Sequence, residues 1–116
     1  MNINEIAKTV SAEILFESSV CHEKDIQYAV AADLMSEVMI GTVDGSLIVT
    51  GLMNPQVIRT AEMMNATAVL FIRGKKIPEQ VLELAQDRDV TVLSSSCTMF
   101  EACGLLYSGG VLSGRG

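Results

Sequence analysis

Tryptophan is absent from this chain, and its aromatic side chains are limited to three Phe and two Tyr. A core organised around large rings is therefore excluded. The interior must be aliphatic, built from Val, Ile, Leu and Ala with help from seven Met, which fill irregular gaps and supply adaptable surface. Positive charge is scarce too: eight Lys and Arg stand against fourteen Asp and Glu, for a net charge of −6. An acidic chain repels a phosphate backbone, and its densest basic run, Arg73-Gly74-Lys75-Lys76, is too short for an electrostatic footprint. Nucleic acid is not an expected partner. Long apolar runs are missing as well, none approaching the roughly 18 residues of a membrane span. The opening stretch, interrupted by Asn2, Asn4, Glu5 and Lys8, lacks the apolar segment of a secretion signal. Cysteine is limited to Cys21, Cys97 and Cys103, an odd number. The expectation is a soluble cytoplasmic protein with reduced thiols, no membrane contact and no disulfide framework.

What is present suits one domain over residues 1–116, large enough to bury roughly two-thirds of its unfolded surface without a metal or cross-link. Ile3, Ile6, Ala7 and Val10 recur at helical spacing and predict an amphipathic helix over Met1–Val10. Glu13–Phe16 reads as a strand, Ser18–Lys24 as a turn or hairpin region, and Ile26–Ala32 as another strand. Asp33 then reads as the N-cap of a short helix that buries Leu34, Met35, Val38 and Met39.

From residue 45 the pattern becomes regular. Ser46–Thr50 has the profile of a strand buried on both faces. Asn54-Pro55 starts a helix with Asn as cap and Pro in the first turn, and Val57, Ile58, Ala61 and Met64 form its apolar face. Ala68–Ile72 is the next strand, followed by the Arg73-Gly74 turn and a helix from Pro78 carrying Val81, Leu82 and Ala85. Val90–Leu93 is a third strand. Thr98 and Glu101, spaced as a capping box, open a helix over Met99–Tyr107 that Gly109-Gly110 stops. Ser113 to Gly116 reads as a frayed tail. Successive strand–helix units with short connections imply neighbouring parallel strands, and the different rhythm of the first third implies an antiparallel addition. The fold class is α/β, a mixed, mainly parallel sheet flanked by helices.

Chemistry is sparse. The sequence contains no GxxxxGK, GxGxxG or GxSxG and no metal-ligand spacing. His22 lies between Cys21 and Glu23, but neighbours in an extended segment point to opposite faces and no second ligand cluster supports them. Cys97 and Cys103, six residues apart, cannot converge on one ion, and Cys103 reads as a buried filler. Glu79 and Glu83 read as solvated. No metal, cofactor or catalytic residue is expected. The candidate ligand-binding surface is the run Ser94, Ser95, Ser96, Cys97 and Thr98, joined by Thr50-Gly51 and Arg73-Gly74. Loops after parallel strands collect at the carboxyl edge of a sheet, where open α/β folds bind ligands, and hydroxyls with free N–H groups suit a carboxylate or phosphate. Cys97, between a strand and a helix start, is also placed where a thiolate would be stabilised.

The stretch Leu47–Gly51, the helix from Pro55, Ala68–Ile72, and Pro78–Ala85 leading into Val90–Ser95 resemble the DRTGG domain, a family similar to the N-terminal domain of bacterial HPr kinase/phosphorylase. Ala32–Met39 resembles the "DLLSDVM" stretch of stand-alone members. The likeness covers about residues 26–108. It implies a three-layer α/β regulatory module that forms homodimers, with no catalytic residue to carry over. The leading expectation is thus a non-catalytic regulatory or interaction domain that self-associates and contacts a protein partner. The alternative is a sensor of a small anionic ligand, a nucleotide or other anion, at the loops after the parallel strands. A thiol redox switch at Cys97 is a third reading.

Overall fold

A computed structural model describes residues 1–20 and 24–115. Cys21, His22 and Glu23, with the reading attached to His22, lie outside the described residues. Along the chain run α1 (Ile3–Thr9), β1 (Ala12–Phe16), β2 (Tyr28–Ala31), α2 (Met35–Val38), β3 (Leu47–Thr50) and α3 (Pro55–Met63). These are followed by β4 (Ala68–Phe71), α4 (Glu79–Asp87), β5 (Thr91–Ser95), α5 (Met99–Ser108) and β6 (Leu112–Ser113). The strands form one sheet in the order β1-β5-β4-β3-β2-β6. All neighbours are parallel except β1, which runs antiparallel to β5. The expected mixed, mainly parallel sheet is therefore present, and its antiparallel member comes from the N-terminal third. β1 and β2 lie far apart in the sheet and make no hairpin.

The three central strands are continuous apolar runs because both faces are covered. Period-2 alternation divides them. Leu47, Val49, Ala68, Leu70, Ile72 and Leu93 pack with Ile3, Ile6 and Val10 of the α1 segment and with Ala102 and Leu106 of α5. Ile48, Val69, Phe71 and Val92 turn to the opposite side, against Met35, Val57, Ile58, Ala61, Val81 and Ala85 from α2, α3 and α4. The result is three layers, helix on sheet on helix.

Caps fix the helix starts. Asn2 accepts from the Glu5 N–H while the Glu5 carboxylate accepts from the Asn2 N–H. Asn54 accepts from the Gln56 N–H with Pro55 in the first turn, and Thr98 with Glu101 closes the expected box on α5. The short helices depart more from expectation. Asp33 does not cap α2; Leu34 occupies that position without a side-chain bond. Leu34 and Met39 are exposed, because a four-residue helix has only one inward side, taken by Met35 and Val38. In α3, Thr60 is buried, while Met64 is a half-buried C-cap. Pro78 is the N-cap of α4 and not its first residue.

Ser113 to Arg115 are not a frayed tail: Ser113 belongs to β6, and Gly114 and Arg115 are held by backbone pairing, while Gly116 lies outside the described residues. β6 pairs with β2, Tyr28 opposite Leu112 and Ala29 opposite Ser113, and the Gly114 N–H donates to the Ala29 carbonyl at 2.9 Å. Gly114 is needed for its size: a Cβ there would lie 2.7 Å from Ser46 Oγ and 2.9 Å from a Val30 methyl. Gly114→Ala should push β6 off β2 and destabilise the fold by about 1–3 kcal/mol, the usual cost of overpacking. Hydrogen exchange checks this: the Leu112 and Gly114 amides should lose protection while the β4 amides keep theirs.

Candidate functional site

The carboxyl ends of β2, β3, β4 and β5 lie side by side, so their connecting corners form one rim. At its centre is Asp33. One oxygen of its carboxylate accepts from the Gly51 N–H at 2.8 Å and from the Thr50 hydroxyl at 3.2 Å. The other receives the Arg73 guanidinium at 3.4 Å. Thr50 Oγ1 in turn accepts from the Leu52 N–H at 3.1 Å. Three strands are thus joined through a single carboxylate. Gly51 leaves room for this arrangement, since a Cβ there would lie 2.7 Å from Arg73 Cζ.

Arg73 itself has a left-handed backbone, with φ of 72°, uncommon for a residue with a side chain. Two backbone bonds hold it there: the Arg73 N–H donates to the Cys97 carbonyl at 2.8 Å and the Gly74 N–H to the Ser95 carbonyl at 2.9 Å. These bonds tie the β4 corner to the β5 corner. The Arg73 and Asp33 side chains are about half exposed, 46% and 52%, and Lys75 and Lys76 follow on an exposed loop. The rim therefore presents the densest positive run of an otherwise acidic molecule.

The serine run divides. Ser94 and Ser95 belong to β5 itself and not to the loop; strand pairing with β1 and β4 extends it past the end of its apolar stretch. Ser94 sits in register with Glu13 and Phe71. The buried Ser95 hydroxyl donates to the Val10 carbonyl at 2.6 Å and accepts from the Cys97 N–H at 3.1 Å. Half-buried Cys97 directs its thiol to the same Val10 carbonyl at 3.5 Å. Exposed Ser96 packs its backbone near Gly74. Thr98 is committed to capping α5, and the Glu101 carboxyl is held below its ordinary range by the Thr98 N–H and hydroxyl. Thr50, Gly51, Arg73, Gly74, Ser95 and Cys97 are thus brought together, whereas Ser94 and Thr98 serve the strand and the helix.

The sequence reads Asp33 as a helix cap, whereas the fold turns its carboxylate to the rim. The signal was there, because Ala32-Asp33 ends a strand as Thr50-Gly51 and Arg73-Gly74 do.

A second concavity, of about 460 Å³, opens between α5 and the face of β2. Ala29, Ala31, Val49, Leu106, Tyr107 and Leu112 contribute to its apolar walls, with Cys103 beside them. Cys103 is half-buried, and desolvation raises its thiol pKa. At the opposite end of the sheet the Asp89 carboxyl accepts from the hydroxyls of Ser18 and Ser19, which lower its pKa. Among the described residues no group of three or more His, Cys, Asp or Glu could hold a metal, and no helix is long and apolar enough to cross a membrane.

No curated protein matches this chain. Among solved structures, it is similar to a crystal structure of the CBS and DRTGG domains of the regulatory region of Clostridium perfringens pyrophosphatase, complexed with its activator diadenosine tetraphosphate. The TM-score is 0.74 at 18% identity, over 90% of this chain and 45% of that one. The chain accordingly spans less than half of that relative, and the likeness is one of fold. In sequence the DRTGG domain matches residues 5–108, reaching the N-terminal helix that precedes the stretch of resemblance noted above. This polypeptide, from α1 to the end of α5, belongs to the DRTGG domain family.

Proposed function

We propose that this regulatory domain senses a small anionic ligand of the nucleotide class at the rim built around Asp33 and Arg73. The observation that carries the reading is the set of donors converging on the Asp33 carboxylate: a backbone N–H, a hydroxyl and a guanidinium. That is the donor set of an anion site, filled by an anion of the protein's own. A half-exposed ion pair contributes about 0–1 kcal/mol. A phosphate, with more charge and a geometry suited to a guanidinium, displaces Asp33 and takes over Arg73, drawn in by Lys75 and Lys76. Asp33 then loses its hold on the corners of β3 and β4, which supplies a response to binding. The diadenosine tetraphosphate bound by the pyrophosphatase relative is consistent with this class of ligand. The reading is regulatory rather than catalytic: the donors surround an acceptor, with no paired nucleophile and base among them.

Thermal-shift titration with ATP and with inorganic tripolyphosphate tests it. The wild-type protein should be stabilised by both, and Arg73→Ala should lose the response. Asp33→Asn keeps an acceptor for Gly51 but removes the competing charge, so it should bind up to about fivefold more tightly, the equivalent of 1 kcal/mol. No stabilisation of either the wild type or Asp33→Asn by millimolar ligand would remove this reading.

A second reading, self-association with further contact to a protein partner, is favoured by a separate observation. Phe100 and Tyr107 on α5 are 88% and 71% exposed, in a molecule with few other aromatic side chains.

A further inference from the structure

We infer that two copies of this chain pair through α5 in an antiparallel, two-fold contact, each placing Phe100 at the other's groove. The inference rests on the self-association reading and supplies its surface and geometry.

The spacing on α5 points to it. Phe100, Cys103, Gly104 and Tyr107 fall at i, i+3, i+4 and i+7, one face of the helix. That face points largely away from the stripe buried by Ala102 and Leu106, with half-buried Cys103 on the side next to it. Its two ends carry the large exposed rings, about 10 Å apart along the axis, and its middle carries two small side chains. A Cβ on Gly104 would meet nothing within 4 Å, so the helix surface is open at the midpoint. The apolar groove flanks the Tyr107 end. One face thus holds a projection at one end, a hollow at the other, and small residues between. A two-fold axis through Cys103 and Gly104 brings each projection to the other copy's hollow and lets the helices approach closely. Isologous contacts have this self-complementary form.

Charge selects the occupant. Each copy has a net charge of −6, so most approaches between two copies are repulsive. On α5 the charged side chain is Glu101, which is turned back to the Thr98 N–H. The Phe100–Tyr107 face has no charge to repel an identical face and offers none to attract a basic partner. The two rings alone expose on the order of 300 Å² of apolar surface. A stable pair needs about 800 Å² per partner, and the walls of the groove and Leu112, 55% exposed, add to the rings.

Sedimentation velocity at about 100 μM, well above a micromolar dissociation constant, decides the matter. The wild type should sediment at twice the chain mass. Gly104→Glu places a good helix former in open space, so the monomer should keep its melting temperature, while the dimer meets two carboxylates at its axis. Its dissociation constant should rise at least a hundredfold. Phe100→Asp, at a site exposed in the monomer and favourable in a first helical turn, should do the same and serves as the second variant. A monomeric wild type would overturn both this pairing and the self-association reading. A wild-type dimer that persists in both variants would overturn the α5 contact alone and leave self-association through another face.

Discussion

Phe71→Ala should lower the free energy of unfolding by about 3–5 kcal/mol, the range for emptying a buried aromatic site. Phe71 is fully buried at the end of β4, between the sheet and the helices of the α2–α4 layer. Among the described residues it is the buried aromatic side chain, and its neighbours in register are Thr50 on β3 and Ser94 on β5. Both lie on central strands held from two sides, so collapse around the vacated space is limited. A domain of this size has a total stability of roughly 5–15 kcal/mol, and the loss should lower the melting temperature by on the order of 15 °C. Urea unfolding checks the assignment. The midpoint should fall with an unchanged slope if the variant keeps the same fold and only the packing is lost. A loss below about 1 kcal/mol would mean that the α2–α4 layer is not tightly packed around Phe71.

Ser95→Ala should be the most damaging single-atom deletion at the rim, costing about 1–3 kcal/mol for buried polar groups left unpaired. The Ser95 hydroxyl joins the end of α1 to the β5 corner, donating to the Val10 carbonyl and accepting from the Cys97 N–H. Without it the carbonyl keeps only the weak thiol contact and the amide loses its acceptor. The Gly74 N–H bonds to the Ser95 carbonyl, so the disturbance should reach Arg73. Amide exchange separates a local from a global effect: Cys97 and Gly74 should exchange faster than Val69 and Leu70. Equal acceleration at all four would show that the hydroxyl stabilises the whole fold and not this corner. Ser95→Thr, which keeps the hydroxyl, should retain most of the protection.

The central strands were legible because burial on both faces leaves an unmistakable run of aliphatic residues, as in Leu47–Val49 and Val69–Phe71. The helices α3 and α5 were legible from their caps, where Asn54-Pro55 and the Thr98–Glu101 pair satisfy backbone donors locally. What could not be read is what depends on distant partners. β6 is two residues long, too short for any periodicity, and exists because β2 offers it an edge. Ser94 and Ser95 look like loop residues, but the ladders of β1 and β4 hold them in β5. Asp33 has the right residue type and place for a helix cap. Its carboxylate turns to Gly51 and Arg73 because donors seventeen and more residues away converge there once the sheet has formed. The rim as a location followed from the strand–helix rhythm; its central residue did not.

The order of strands in the sheet differs from the order in which the ribosome makes them. β2 is among the earliest strands to emerge, yet its outer partner, β6, is the last. Until α5 has crossed the sheet and Leu112 reaches Tyr28, β2 keeps one row of N–H and C=O groups open, an invitation to pairing with another chain. Completion of the sheet thus waits on the residues that follow α5, and a chain arrested after β5 would carry the parallel centre with an unprotected margin. Such nascent or shortened forms should be the ones that chaperones hold longest.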